Sequence, residues 1–374
     1  MMEPRTPGQL VTTLLKNKGW TKRTLAIVLA VDESVITRIA SDKRPITADL
    51  ALALEELFQV PAERFLSLQK DYDLALARIA FQPSSARAMR AEIFGSLPIA
   101  EMIKRGWLSV DNQRDVAAVE AEVARFFDVK SVSDIAFMSH AAKRTQVGIN
   151  ATPSQLAWIH RVRSIASEML VPKYSAASGK LAIERLKPLL RSAEEGRKVP
   201  RILAEAGIRF VVVETLPSAK IDGVCTWLAD DAPVVGMSMR FDRIDNFWFV
   251  LRHELEHVLR GDGKHSPVLD VEMDGRTDAS VADEERAANL AAASFAVPPD
   301  KLAGFIARKS PLFSERDIVG FAALMGVHPG LVAGQLQHAT GKYDRFRSHL
   351  EKIRSIVLPG ASTDGWGDVA PLGQ

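Results

Sequence analysis

Apolar positions recur at helical spacing through the first part of the chain. Leu10, Leu14 and Leu15 are followed by Leu25, Ala26 and Leu29, then Val35, Ile36 and Ile39, then Leu50, Leu52, Leu54 and Leu57. Side chains three and four residues apart share one face of a helix, so each group predicts a helix with one buried side. Polar breaks at Gly19–Trp20 and Lys43–Pro45 separate the helices, and Pro45 cannot continue one without losing a backbone hydrogen bond. A compact helical domain over residues 1–80 is expected. The periodicity stops at Phe81–Arg87, where Gln82, Pro83, Ser84 and Ser85 interrupt it, and a domain boundary is placed there.

Residues 88–200 read as a helical connecting region. β-Branched residues first cluster at Ile208–Thr215; Val224–Leu228 and Pro233–Met239 follow, separated by the turn-forming Asp230–Asp231. This predicts a small sheet of short strands. Helical spacing returns from about Asn246, completing a domain over 201–358. The stretch 359–374, rich in Gly, Pro and Asp, reads as a frayed tail. The expected class is mainly α with a small β-sheet (α+β).

Composition changes this picture little. The chain has 374 residues, 47% of them hydrophobic and 25% charged, which fits two or three folded domains rather than disorder. The net charge of +2 means that any basic surface must be local. One cysteine, Cys225, excludes a disulfide framework and a cysteine-rich zinc site, and fits a reducing cytoplasm. The stretch Met1–Trp20 is broken by Pro4, Pro7 and Lys16, and no apolar run reaches the roughly 18 residues that a membrane span needs. A cytoplasmic chain with no membrane partner is expected.

The sharpest chemical signal is His253-Glu254-Leu255-Glu256-His257. On a helix His253 and His257 lie one above the other and can direct both imidazoles at one ion. Zn2+ suits neutral imidazole, and Glu254 beside the first ligand is placed to act as general base on water. Phe247–Leu251 before the pentapeptide and Val258–Leu259 after it predict a buried helix, and Gly261 ends it. Two histidines leave a tetrahedral ion one protein ligand short. Asp283-Glu284-Glu285 opens an alanine-rich helix that can supply the third, with Glu285 as candidate and Glu284 as alternative. Asn289 shares the face of Glu285 and is a candidate to orient a ligand histidine. The same acidic triplet also fits an ordinary first helical turn. Pro233–Arg240 is the candidate edge strand for a substrate backbone. Asp270–Gly275 has the look of a calcium loop, but Val281 stands where the bidentate glutamate should be. His328, before Pro329-Gly330, is expected to be structural.

Thr21–Ala30 and Glu33–Ser41 have the dimensions of a helix-turn-helix, with Thr21 capping the first helix and Asp32 or Glu33 the second. Ser34, Thr37 and Arg38 would face outward, followed by Lys43 and Arg44. Between residues 16 and 44 seven basic groups (Lys16, Lys18, Lys22, Arg23, Arg38, Lys43, Arg44) outnumber three acidic ones (Asp32, Glu33, Asp42), an excess of four. That is enough for several phosphate contacts.

Two resemblances follow from these residues. The stretch Phe247–Pro298 resembles the ImmA/IrrE family of metallopeptidases through Phe249-x-x-x-His253-Glu254-Leu255-x-His257, Glu285-x-x-Ala288-Asn289 and the closing Phe295-Ala296-Val297-Pro298. The resemblance implies a zincin-like metallopeptidase domain, Glu285 as third zinc ligand, and cleavage of a repressor or antitoxin protein. Glu256 departs from the small residue usual there and would crowd or charge the wall near the metal; Ala291-Ala292 replaces the usual Phe-Ala. The segment Pro7–Arg78 resembles the Cro/cI-like superfamily, and within it the HigA-type antitoxin domain. It does so through Pro7-Gly8, Thr21-x-x-x-Leu25-Ala26, Lys43–Asp49 and Leu66-x-Leu68-Gln69-x-x-Tyr72-Asp73-Leu74. This implies operator DNA bound in the major groove by Ser34–Ala40, usually as a homodimer. The alternatives are a non-enzymatic DNA-binding regulator with a structural or sensory metal, and an antitoxin.

Overall fold

The computed structural model describes residues 5–81, 97–131, 151–264, 267–271 and 283–370, with single positions at 87, 90, 91, 94, 95 and 134. The chain divides into two compact units, Met1–Ala86 and Arg87–Gln374.

The first unit is five helices: α1 (Pro7–Lys18), α2 (Lys22–Val28), α3 (Glu33–Ala40), α4 (Ala48–Phe58) and α5 (Ala62–Ala80). Their starts are chemically marked. Thr6, Thr21 and Thr47 each accept a backbone N–H from the first turn of the helix that follows, whereas Asp32 sits at the N-cap of α3 without a side-chain bond. Leu10, Leu15, Leu25, Ala26, Ile36, Ile39, Leu54 and Phe65 form the core. Gly8 lets α1 begin directly on the end of α3. Its N–H donates to Asp42 Oδ1 at 2.7 Å, and a Cβ there would lie 2.6 Å from the Ile39 carbonyl oxygen.

The second unit begins with α6 (Ile99–Lys104), α7 (Val116–Phe126), α8 (Pro153–Ser167), α9 (Ala176–Leu186) and α10 (Val199–Glu205). Strands β1 (Arg209–Val213), β2 (Ile221–Trp227) and β3 (Pro233–Met237) lead into α11 (Ile244–Arg260) and β4 (Val268–Val271). Helices α12 (Asp283–Ala296), α13 (Pro299–Lys309), α14 (Glu315–Met325), α15 (Pro329–Thr340) and α16 (Arg354–Val357) follow, and β5 (Ser362–Asp364) closes the chain. The mixed sheet has the order β4-β2-β3-β1-β5, with β2 antiparallel to β3 and β4, and β1 parallel to β3 and β5.

Both faces of the sheet are covered, which is why Phe210–Val213 of β1 and Pro233–Met237 of β3 read as continuous apolar runs rather than alternating ones. Phe210, Val212, Cys225, Val235 and Met237 pack on one side with α9 to α11 and α13 to α15. Val211, Val213, Val224 and Val234 pack on the other with α6 to α8. Strand period 2 therefore divides a single sequence run between two cores.

The expected class, mainly α with a small sheet, is what the chain adopts. Three expectations need correction. Residues 88–200 do not stand apart from the sheet as a connector, since 87–374 form one unit: the Trp158 indole donates to the Val213 carbonyl at 2.9 Å and the Gln155 amide to that of Ala219 at 2.9 Å, so α8 is one wall of the sheet core. Pro233–Arg240 is not an edge strand, because β3 lies between β2 and β1; the edge beside β2 is β4. Residues 359–370 are not a frayed tail, because β5 pairs with β1 and buries Asp364. Strand order is set by distant partners, which local periodicity does not carry.

His328 is structural, as its turn position predicted. It is the N-cap of α15, its Nδ1 accepts the Gly330 N–H at 3.1 Å, and its Nε2 lies 3.0 Å from Glu351 Oε2. Burial pushes this imidazole below its ordinary value, against the opposing pull of Glu351. The unfolded chain therefore binds the extra proton first. Stability held above the ordinary imidazole value of about 6.5 is lost as pH falls below it. We expect the melting temperature of the second unit to drop on acidification through that window. His328→Asn, which keeps a cap acceptor, should flatten the slope; an unchanged slope in thermal melts would remove His328 as a cause.

Candidate metal centre and helix-turn-helix surface

Helix α11 crosses the sheet with its inner face buried, and His253, Glu254 and His257 all lie on that face without solvent exposure. Gly261 ends the helix at φ 78°, a left-handed conformation that favours glycine. Helix α12 lies against α11, with Asp283 and Glu284 exposed and Glu285 half-buried. The Glu285 carboxylate oxygens stand 3.4 Å from His253 Nε2 and 3.6 Å from His257 Nε2, and the two Nε2 atoms are 3.0 Å apart. One ligand atom from each residue falls within 4.8 Å of the others. Of the two acidic candidates, then, the structure brings Glu285 to the rings and leaves Glu284 in solvent. Asn289 is half-buried one turn along α12.

Two further residues shape the centre. Asp262 Oδ2 lies 3.0 Å from His257 Nδ1, on the side of the ring away from Glu285. Gly223 of β2 sits against Glu254: any Cβ there would collide with Glu254 Oε1. Neither is found by helical spacing. The only local mark of Asp262 is its place between Gly261 and Gly263, where a tight turn directs a short carboxylate back at the helix it follows.

Glu256 is paired along its own helix. Its carboxylate accepts from Arg252 Nη2 at 2.7 Å, with the two side chains 20% and 12% exposed, and the Arg252 guanidinium lies 5.9 Å from the Phe295 ring centroid. Losing one member of a mostly buried pair strands the other. Arg252→Ala is expected to cost about 3 kcal/mol, and a second change, Glu256→Ala, to recover much of it. Urea unfolding checks both, and equal stability of parent and single variant would contradict the pairing. Of the other basic or hydroxyl groups near the motif, Tyr343 is partly exposed, with its hydroxyl 3.5 Å from His338 Nδ1. His265 and residues 272–282, which include Val281, lie outside the described residues.

In the first unit Ser34, Thr37 and Arg38 line the exposed face of α3, and Lys43 and Arg44 are exposed just after it. Lys22 and Arg23 are exposed at the start of α2. The inward residues of α2 and α3 (Leu25, Ala26, Ile36, Ile39) are buried, so the basic and hydroxyl groups are displayed by a fixed helix pair.

That geometry defines the first unit as a helix-turn-helix domain. No family model matches the chain. Over 72 residues it is 39% identical to Virulence-associated protein I of Dichelobacter nodosus, a match spanning 19% of this chain and 67% of the relative. A solved structure of an addiction module antidote protein of a HigA family from Coxiella burnetii shares 30% identity; the match covers 22% of this chain and all of that one, with a TM-score of 0.19. Both likenesses fall on the N-terminal region. Through this unit the chain belongs to the family of Virulence-associated protein I. Among the described residues no single helix is long and apolar enough to cross a membrane.

Proposed function

We propose that the chain is a DNA-binding regulator whose second unit is a zinc-dependent endopeptidase of the ImmA/IrrE type, acting on a repressor or antitoxin protein. One observation carries the peptidase reading: His253 and His257 of α11 converge with Glu285 of α12, and Glu254 is buried next to His253 on α11. Two imidazoles and one carboxylate are the donor set of a catalytic rather than a structural zinc, since they leave a coordination position open. When bound, zinc supplies Lewis acidity that polarises a carbonyl and acidifies water. The chain's own residues do the rest. Glu254 accepts a proton of the attacking water as the new C–O bond forms, and returns it to the amine nitrogen as the C–N bond then breaks and the amine departs. The outer edge of β4, beside β2 and hence beside Glu254, is where an extended substrate can add as a further strand.

In the first unit, Ser34, Thr37 and Arg38 would read base edges in the major groove of an operator, and Lys43 and Arg44 would contact phosphates. The test is incubation of the full chain, loaded with zinc, with candidate repressor and antitoxin proteins. Cleavage lost on chelation and restored by zinc is the expected result. A chain that binds no zinc, or cleavage indifferent to chelation, would exclude the peptidase reading.

A further inference from the structure

The turn that follows α11 is built with unusual care for a surface connection. The Asp262 N–H donates to the His257 carbonyl at 2.9 Å. Its own carbonyl accepts the Trp227 indole N–H at 2.7 Å and lies 3.5 Å from Cys225 Sγ. Gly263, at φ 81°, lies so close to β2 that a Cβ would stand 2.6 Å from the Cys225 carbonyl oxygen. Lys264 Nζ lies over the Trp227 ring, 4.8 Å from its centroid. The backbone of Asp262 is thus fastened both to the end of α11 and to the end of β2. The side chain left between them points at His257 and is 14% exposed.

We infer that Asp262 is a positioning residue that fixes the tautomer and the plane of the His257 ring for the cation; this rests on the metal reading above. An ionised carboxylate can only accept, so the 3.0 Å contact requires Nδ1–H on His257. The lone pair of that imidazole is then on Nε2, the atom that faces His253 Nε2 and Glu285. The negative charge behind the ring also strengthens Nε2 as a donor. Arg260 Nε, 3.4 Å from the same Asp262 oxygen, holds that carboxylate from the solvent side.

Loss of such an outer carboxylate weakens metal binding by roughly 10- to 100-fold. The experiment is zinc affinity of the full chain, measured by competition with a chromogenic chelator, for the parent, Asp262→Ala and Asp262→Asn. Asp262→Ala should fall by about 10-fold or more, and Asp262→Asn, which keeps an acceptor but loses the charge, should lie between it and the parent. Parent affinity in both variants would overturn the role of Asp262 and leave the metal centre standing. A parent chain that binds no zinc would overturn the metal reading and this inference together. Should Asp262→Ala fail to fold by circular dichroism, Asp262→Asn decides alone: a loss of about threefold or more supports the role, and no loss overturns it.

Discussion

Glu254→Gln is expected to slow peptide hydrolysis by about 1000-fold while leaving zinc affinity unchanged. The two halves of this result come from different atoms. On the proposed reading the ligand atoms are those of His253, His257 and Glu285, so a cation there would lose nothing when position 254 becomes an amide. The amide has the shape of the carboxylate, and shape matters here. Glu254 is fully buried and its Oε1 sits where a Cβ on residue 223 would be. Glutamine fits that space but cannot take a proton from water at neutral pH, so what is lost is proton transfer in the transition state. Positioned general bases of this kind contribute about 100- to 10,000-fold. His253→Ala is the contrasting case. On the proposed reading it removes a ligand, and both zinc binding and cleavage should disappear together. Substrate KM should be nearly unchanged in Glu254→Gln, because the substrate does not need the base in order to bind. Hydrolysis at the parent rate by this variant would exclude Glu254 as the base.

Local periodicity carried some parts of this molecule and was silent on others. The inward residues of α2 and α3 and the cap at Thr21 were legible because they depend on neighbours within one or two turns. His253 and His257 were legible for the same reason. Glu285 is favoured in the sequence by its four-residue spacing from Asn289 and by the family resemblance, with Glu284 as the alternative; the packing of α12 on α11 is what turns Glu285 inward and leaves Glu284 exposed. Asp262 and Gly223 act across the gap between β2 and α11, and no spacing rule connects residues on separate elements. Pro233–Arg240 reads as an edge strand from its place before α11, yet β3 is interior because it pairs with both β1 and β2; β4, which follows α11, takes the edge beside β2. The pairing of Glu256 is set by burial as well as by spacing. Arg252 precedes it by one turn, a pairing that sequence permits but that burial makes consequential.

Asp364→Ala should lower the stability of the second unit by about 4 kcal/mol, a large share of the 5–15 kcal/mol that a domain of this kind has in total. The residue lies in the Gly-, Pro- and Asp-rich segment whose composition predicts fraying. That composition serves the turns around β5, while Asp364 itself is the anchor. Its Oδ1 accepts the Trp107 indole N–H at 2.9 Å; its Oδ2 accepts from Arg161 Nε at 2.8 Å and also from Arg161 Nη2. Arg161 Nη2 donates in addition to the Ala370 carbonyl at 2.7 Å, and neither charged side chain has any solvent exposure. Removing the carboxylate leaves a guanidinium and an indole N–H in a dry core with their acceptor gone, and a buried charge without its partner costs about 3–5 kcal/mol. The cost belongs to the stranded cation rather than to any special strength of the pair. Replacing both members with apolar residues of similar volume, Arg161→Met with Asp364→Leu, should therefore recover most of the loss. The check is the urea midpoint of the second unit in the single and double variants, read at constant slope. A single variant as stable as the parent would show that residues 362–364 are dispensable to the sheet. A double variant no better than the single would show that the pair's own attraction, and not the isolation of Arg161, holds the end of the chain in place.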